Sequence, residues 1–180
     1  YNCTMIQMAA AFASVINGGS YYEPHVVKQI LNDQGSVVKK IEPNLVRETV
    51  SQSPSDFIRH ALFMTVDDEE GTGKAGRVAG YKVGGKTGTA EKLPRSAHNY
   101  LVSFCGFAPA DDPQLLVYVI LDTPNLPGKE QAHSTFATEV FQKIMAEALP
   151  YLNVFPDTDT AAEDASLADQ SEGITNNNEG

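Results

Sequence analysis

Three β-rich runs in the second half of the chain constrain the fold more than any other feature, because short connections join them. They cover residues 81–91, 100–107 and 115–121, and a Pro-Ala-Asp-Asp-Pro turn separates the last two. A parallel crossover needs a dozen or more residues, so these connections predict antiparallel neighbours. The run at 115–121 is almost entirely apolar, which predicts a central strand covered on both faces.

Three other segments have the apolar periodicity of helices, and a residue suited to N-capping precedes each of them. Thr4 precedes the alanine-rich residues 5–16, Ser53 precedes the second segment, and Ser134 precedes the third, which Pro150 is predicted to end. Helices segregated around an antiparallel sheet predict an α+β fold.

Charge is distributed unevenly along the chain. The formal net charge is −10, but residues 156–180 contain seven of the 23 acidic residues and none of the 13 basic ones. Residues 1–155 therefore carry a charge of only −3, which argues against a nucleic-acid partner. We predict one globular region over residues 1–155 and a disordered acidic tail over residues 156–180.

Cysteine and histidine spacing predicts no metal site. Cys3 and Cys105 are too few for a disulfide framework, and they are either free thiols or one bonded pair. The apolar run at 5–16 is too short to span a bilayer. Because the chain opens at Tyr1 with no signal-peptide pattern, we expect any membrane anchor to lie upstream of it.

The sequence Gly-Gly-Lys-Thr-Gly-Thr-Ala at residues 84–90 has two competing interpretations. Residues 80–87, from Gly80 to Thr87, match the nucleotide-binding pattern G-x-x-x-x-G-K-[ST] completely. A phosphate-binding loop lies between a buried strand and a helix. Here the preceding residues 69–76 are too polar and glycine-rich for a buried strand, and Gly88 and Pro94 follow where a helix is required.

The second interpretation is the Lys-Thr-Gly motif of the serine acyl-transferases that react with penicillin. In that case Lys86 places a cation beside the substrate carboxylate, and Thr87 and Thr89 offer it hydroxyl groups. Gly88 lets a substrate strand approach and pair with the backbone. The N–H of Thr89 is a candidate oxyanion-hole donor. This interpretation requires an edge strand on which these residues border a groove.

The wider sequence resembles the last part of a class B penicillin-binding protein transpeptidase domain, over about residues 1–155. The matching segments are the T-x-x-Q-x-A-x-A-x pattern at 4–12, Asn-Gly-Gly at 17–19, residues 22–27, the motif at 85–91, F-x-G-F-A-P at 104–109, and residues 113–122 and 136–152. The resemblance implies a β-lactamase/transpeptidase-like fold and a D,D-transpeptidase that cross-links peptidoglycan through an acyl-serine. It also implies D-Ala-D-Ala stem peptides and β-lactams as ligands, no cofactor or metal, and a location at the outer face of the bacterial cytoplasmic membrane.

The sequence lacks the other two motifs of that family. It contains no Ser-x-Asn, and its one Ser-x-x-Lys is Ser36 to Lys39. β-Rich runs at 26–31 and 37–41 predict a hairpin, in which Ser36 opens the second arm and Lys39 lies within it. In a strand, side chains three apart point to opposite faces, whereas a nucleophilic serine and its lysine must share one. We therefore expect the nucleophile to be absent and this chain alone to be inactive, with a non-catalytic peptide- or partner-binding module as the alternative.

Overall fold

The computed structural model describes residues 3–157, and the chain forms two compact units, Tyr1–Ile58 and Arg59–Gly180. Most of the predicted acidic tail, residues 158–180, lies outside the described residues. Within residues 3–157, no helix combines the length and apolarity needed to cross a membrane.

The first unit opens with helix α1, Met5–Ile16, as predicted. Thr4 caps it: the Thr4 hydroxyl accepts a hydrogen bond from the Gln7 N–H at 3.2 Å, and the Gln7 side chain accepts one from the Thr4 N–H at 2.9 Å. This reciprocal capping box satisfies two N–H groups that the first helical turn leaves open.

Two short β-ladders follow α1 in the same unit. Strands β2 (Gln29–Leu31) and β3 (Val37–Lys40) form the predicted antiparallel hairpin. Ser36 lies in its turn, where its N–H donates to Asn32 Oδ1 at 2.9 Å, while Lys39 is on β3. The other ladder joins β1 (Ser20–Tyr22) to β4 (Leu45–Glu48) and was not predicted.

Helix α2 spans Gln52–Asp67. It begins before Ser53, so the prediction of Ser53 as its N-cap is wrong. The Ser55 N–H already donates to the Ser51 carbonyl at 3.2 Å, which places Ser53 inside the first turn. Ser55 itself is buried, and its hydroxyl accepts from the Gly18 N–H at 2.9 Å.

The second unit contains a three-stranded antiparallel sheet in the order β5-β6-β7. The strands are β5 (Gly84–Glu91), β6 (Tyr100–Ala108) and β7 (Leu115–Asp122). The antiparallel prediction is confirmed, but the central strand among the described residues is β6. The prediction that the apolar run at β7 is central is wrong: its residues are mostly half-buried, whereas residues 102–108 of β6 are all buried.

Helix α3, Thr135–Tyr151, packs on this sheet and supplies much of its core. Phe141, Met145 and Leu149 are fully buried. The Phe141 ring packs edge to face on the ring of Phe104 in β6, with the two ring centroids 4.8 Å apart. Ser134 is the N-cap residue of α3 as predicted, but the prediction that Pro150 ends the helix is wrong. Ser134 has helical backbone angles and makes no side-chain capping bond, and Pro150 lies inside the last turn. A proline there removes only one hydrogen bond, so the helix extends past it.

Candidate active site

The Lys-Thr-Gly motif lies on β5, which is an edge strand among the described residues. All of Gly84–Glu91 is extended and pairs with β6. A phosphate-binding loop requires a helix N-terminus after Thr87. Since the chain continues there as a strand, the interpretation of residues 80–87 as a nucleotide-binding loop is wrong.

Side-chain hydrogen bonds show which backbone groups of β5 point away from the sheet. The Gly85 carbonyl accepts from the Thr65 hydroxyl, and the Thr87 carbonyl accepts from the Lys86 ammonium at 3.0 Å. Backbone groups alternate in direction along a strand, so residues two apart face the same side. Gly85 and Thr87 therefore direct their carbonyls away from β6, that of the buried Gly85 toward α2 and that of Thr87 to the exposed part of the edge, and the same alternation directs the Thr89 N–H there.

Two segments flank this edge and contact its threonine hydroxyls. The Thr87 hydroxyl lies 3.3 Å from that of Thr72, in the connection between α2 and β5. The Thr89 hydroxyl donates to the Ala132 carbonyl at 3.4 Å, and Ala132 ends a 3₁₀ turn that precedes α3. The exposed edge therefore has a hydroxyl-bearing loop beside Thr87 and a short helical turn beside Thr89.

Sequence reasoning did not identify Thr72 or Ala132. Thr72 lies between Gly71 and Gly73, and these two glycines were a sequence signal that its loop packs closely on another element. The structure shows this packing, since a Cβ at Gly71 would lie 2.4 Å from the Thr65 carbonyl oxygen. Only a glycine-rich loop can pack this closely on the last turn of α2. The contact of Ala132 has no comparable signal in the sequence.

Lys86 is exposed, and within residues 3–157 it forms no salt bridge. It lies opposite Cys105 in the β5–β6 register. Burial raises the pKa of the Cys105 thiol to about 12, so this group stays neutral and supplies no counter-charge. The described surroundings therefore leave the Lys86 cation free to meet an anionic ligand.

Four glycines make room for the Phe104 ring and thereby fix β5 against the core. A Cβ on Gly85 would lie 2.3 Å from this ring, one on Gly106 2.6 Å, one on Gly73 3.2 Å and one on Gly76 3.3 Å. Gly88 has a different neighbour, since a Cβ there would meet the Ser103 hydroxyl at 2.6 Å. Gly85 is thus required by the buried ring beside it, whereas the contact at Gly88 is with a side-chain hydroxyl that can turn away.

Charged groups stabilise the far end of β5, where the β5–β6 hairpin turns. His98 Nδ1 lies 3.4 Å from Glu91 Oε1, and the Tyr100 hydroxyl donates to the same oxygen at 3.3 Å. Partial burial and the nearby Glu91 carboxylate raise the pKa of Tyr100. A hydrogen bond from Lys92, supported by one from Thr123, lowers the pKa of Asp122.

This fold and edge define the class of protein, and comparison with known families identifies it directly. The model of the penicillin-binding protein transpeptidase domain matches residues 1–146. The chain therefore belongs to that family, among the class B penicillin-binding proteins, and has their β-lactamase/transpeptidase-like fold. The predicted family and fold class are confirmed.

Curated relatives share substantial sequence with the chain. Stage V sporulation protein D of Bacillus subtilis is 43% identical over 157 residues, which are 85% of this chain and 24% of that protein. A probable peptidoglycan D,D-transpeptidase PenA of Neisseria flavescens is 32% identical over 157 residues, covering 85% of this chain and 36% of that protein. The chain spans roughly a quarter to a third of the length of these relatives.

Solved structures give the same result for the fold. The transpeptidase domain of penicillin-binding protein 3 from Burkholderia pseudomallei matches with a TM-score of 0.71 and 29% identity, over 87% of this chain and 44% of that one. Penicillin-binding protein 3 from Mycobacterium tuberculosis, solved with ampicillin, matches with a TM-score of 0.72 and 26% identity, over 87% and 36%.

Proposed function

We propose that this chain supplies the ligand-binding edge of a peptidoglycan D,D-transpeptidase, and that Lys86, Thr87, Gly88 and Thr89 are its site residues. The observation that carries the proposal is the free edge of β5, where the Thr87 carbonyl and the Thr89 N–H face outward beside an exposed lysine. A peptide or β-lactam that lies along this edge pairs with the backbone as an added strand.

The substrate carboxylate is placed by charge and by hydroxyl groups. Lys86 provides the positive charge, and the hydroxyls of Thr87 and Thr89 are the proposed donors, with the Thr72 hydroxyl, 3.3 Å from that of Thr87, as a further donor. A carboxylate accepts several hydrogen bonds at once, and those from charged groups are the strongest. The C-terminal carboxylate of a D-Ala-D-Ala stem peptide and the ring carboxylate of a penicillin share this chemistry.

The Thr89 N–H acts as an oxyanion-hole donor in this proposal. A serine oxygen attacks the carbonyl carbon of the penultimate D-alanine, the carbonyl oxygen becomes an oxyanion, and the Thr89 N–H donates to it. Collapse of that intermediate breaks the peptide bond and releases D-alanine, whose amine takes the serine proton through a general base. The amine of a neighbouring stem peptide then attacks the acyl-serine and restores the serine.

The one Ser-x-x-Lys of this chain lacks the local geometry of a nucleophile and its lysine. Ser36 lies in the β2–β3 turn with Lys39 on the strand that follows, so the two residues do not form one helical face. We propose that the nucleophile and the Ser-x-Asn residues lie outside this chain and that the chain alone does not form an acyl-enzyme. We also propose that residues 1–155 are the transpeptidase part, that residues 156–180 are a separate acidic tail, and that the complete protein acts at the outer face of the cytoplasmic membrane.

Two experiments test this function. The coding sequence upstream of Tyr1 is expected to encode Ser-x-x-Lys and Ser-x-Asn, and an in-frame start at this boundary would favour a non-catalytic binding module instead.

A fluorescent penicillin is expected to label the complete gene product but not the 180-residue chain. Lys86→Ala is expected to reduce labelling of the complete product by about a hundredfold or more, the loss of a charged transition-state contact. Lys143→Ala, which removes a lysine from α3, is the control. Labelling of Ser36, or undiminished labelling of Lys86→Ala, would refute the proposal.

A further inference from the structure

We propose that Thr65 is a positioning residue for acylation, which holds the ligand-binding edge of β5 through its hydroxyl group. This inference rests on the proposed function and assigns a role to a residue outside the Lys-Thr-Gly motif. It follows from the contacts between the last turn of α2 and the first residues of β5.

The Thr65 hydroxyl reaches two carbonyl oxygens, those of Gly85 on β5 and of Leu62 on its own helix, the latter at 2.8 Å. A threonine in a helix commonly bonds the carbonyl three or four residues before it. The contact with Gly85 is different because it joins α2 to another element, directly before Lys86. One hydroxyl proton can serve both oxygens as a three-centre bond.

The backbone of Thr65 anchors the loop on the other side of the site. Its carbonyl accepts from the Gly73 N–H at 2.8 Å, and this loop carries Thr72. One residue therefore contacts both the strand that bears Thr87 and the loop that bears the neighbouring hydroxyl. The two hydroxyls lie 3.3 Å apart only while both segments hold their places on α2.

The same hydrogen bond sets the register of a bound ligand. Gly85, Thr87 and Thr89 have outward-facing backbone groups, and the Thr65 hydroxyl already occupies the first of these carbonyls. A ligand strand is left with the groups of Thr87 and Thr89, next to the proposed oxyanion donor. Without the hydroxyl, the buried Gly85 carbonyl loses its partner and the start of β5 loses its link to α2.

Three variants of the complete gene product separate positioning from stability. Thr65→Val removes the hydroxyl while keeping its backbone contact with Gly73, and Thr65→Ser retains the hydroxyl. Thr138→Val is the matched control, since among residues 3–157 the one recorded partner of the Thr138 hydroxyl is the Ser134 carbonyl of its own helix region, at 3.0 Å. The readouts are the rate constant of penicillin acylation at saturation and the midpoint of thermal unfolding. Thr65→Ala replaces Thr65→Val if the latter does not fold.

We expect Thr65→Val to lower the acylation rate constant about five- to tenfold, the effect of one neutral hydrogen bond. Thr65→Ser is expected to retain most of the rate, and Thr138→Val to retain it despite a similar loss of thermal stability. Equal losses in Thr65→Val and Thr138→Val would overturn the inference, as would an unchanged rate in Thr65→Val or an equal loss in Thr65→Ser. Failure of the proposed function itself is distinct, because Lys86→Ala would then label as strongly as the wild type.

Discussion

Replacement of Gly85 by alanine adds a methyl group that points from β5 at the Phe104 ring. The new Cβ would lie 2.3 Å from Cζ of that ring, whereas carbon atoms in normal contact are roughly 3.5 Å apart. The ring cannot retreat freely, because Phe104 is fully buried and its edge meets Phe141. Overpacking of this kind costs up to about 3 kcal/mol of unfolding free energy, and we expect Gly85→Ala to reach that value.

A matched glycine and a relieving substitution make the test specific. A Cβ on Gly76 would lie 3.3 Å from the same ring and 3.0 Å from its nearest atom, Thr138 Cγ2. These contacts are longer than the 2.3 Å at Gly85, so Gly76→Ala is expected to cost only about 1 kcal/mol. Phe104→Leu replaces the ring with a shorter side chain and should relieve the contact in the double variant Gly85→Ala/Phe104→Leu. Urea unfolding followed by circular dichroism measures the wild type, the three single variants and the double variant. Strictly additive free energies in the double variant would refute the clash as the cause, because residues in contact are expected to couple by about 1 kcal/mol or more.

Three other predictions concern charge and exposure. Arg77→Met should lower the free energy of unfolding by about 1–2 kcal/mol, because Arg77 Nε donates to the Val66 carbonyl at 3.0 Å near the end of α2. Arg95 is largely exposed, and Arg95→Met should lower it by less than about 0.5 kcal/mol. Equal losses in the two variants would contradict this prediction. Hydrogen bonds from Lys74 and then Arg77 lower the pKa of Glu69, and hydrogen bonds from Lys92 and Thr123 lower the pKa of Asp122. Both carboxylates therefore stabilise the fold above their ordinary pKa of about 4, and this stability is lost as the pH falls through their lower pKa in the folded protein. Glu69→Gln and Asp122→Asn should therefore lose less stability than wild type between about pH 5 and pH 3 in thermal scans, and parallel curves would disprove it. Iodoacetamide at neutral pH should modify the exposed Cys3 but not the buried Cys105, whose pKa is raised to about 12, and mass spectrometry showing two adducts on the native protein would contradict this.

Local patterns in the sequence predicted the elements whose contacts are close in the chain. Short connections gave the antiparallel order of β5, β6 and β7, and the turn after Leu31 gave the β2–β3 hairpin. The cap at Thr4 was predictable because its partner, Gln7, lies three residues away. The motif strand followed from glycine and proline at positions that a helix would not tolerate.

Features that depend on distant segments were missed or misjudged. Strands β1 and β4 are three and four residues long and pair across the whole hairpin, so neither has a recognisable alternation of its own. The apolar composition of β7 suggested a central strand, but burial depends on which elements cover it. Thr72 and Thr65 acquire their places at the site only when α2 and its following loop pack beside β5.

The central claim is that the outward-facing edge of β5 binds the acyl group, with the Thr89 N–H as an oxyanion donor. A crystal structure of the complete gene product acylated by ampicillin tests it most directly. The drug's carbonyl oxygen is expected within about 3 Å of the Thr89 nitrogen, with its carboxylate at the hydroxyls of Thr87 and Thr72. A carbonyl oxygen turned away from Thr89, or a carboxylate beyond the reach of both hydroxyls, would contradict the account.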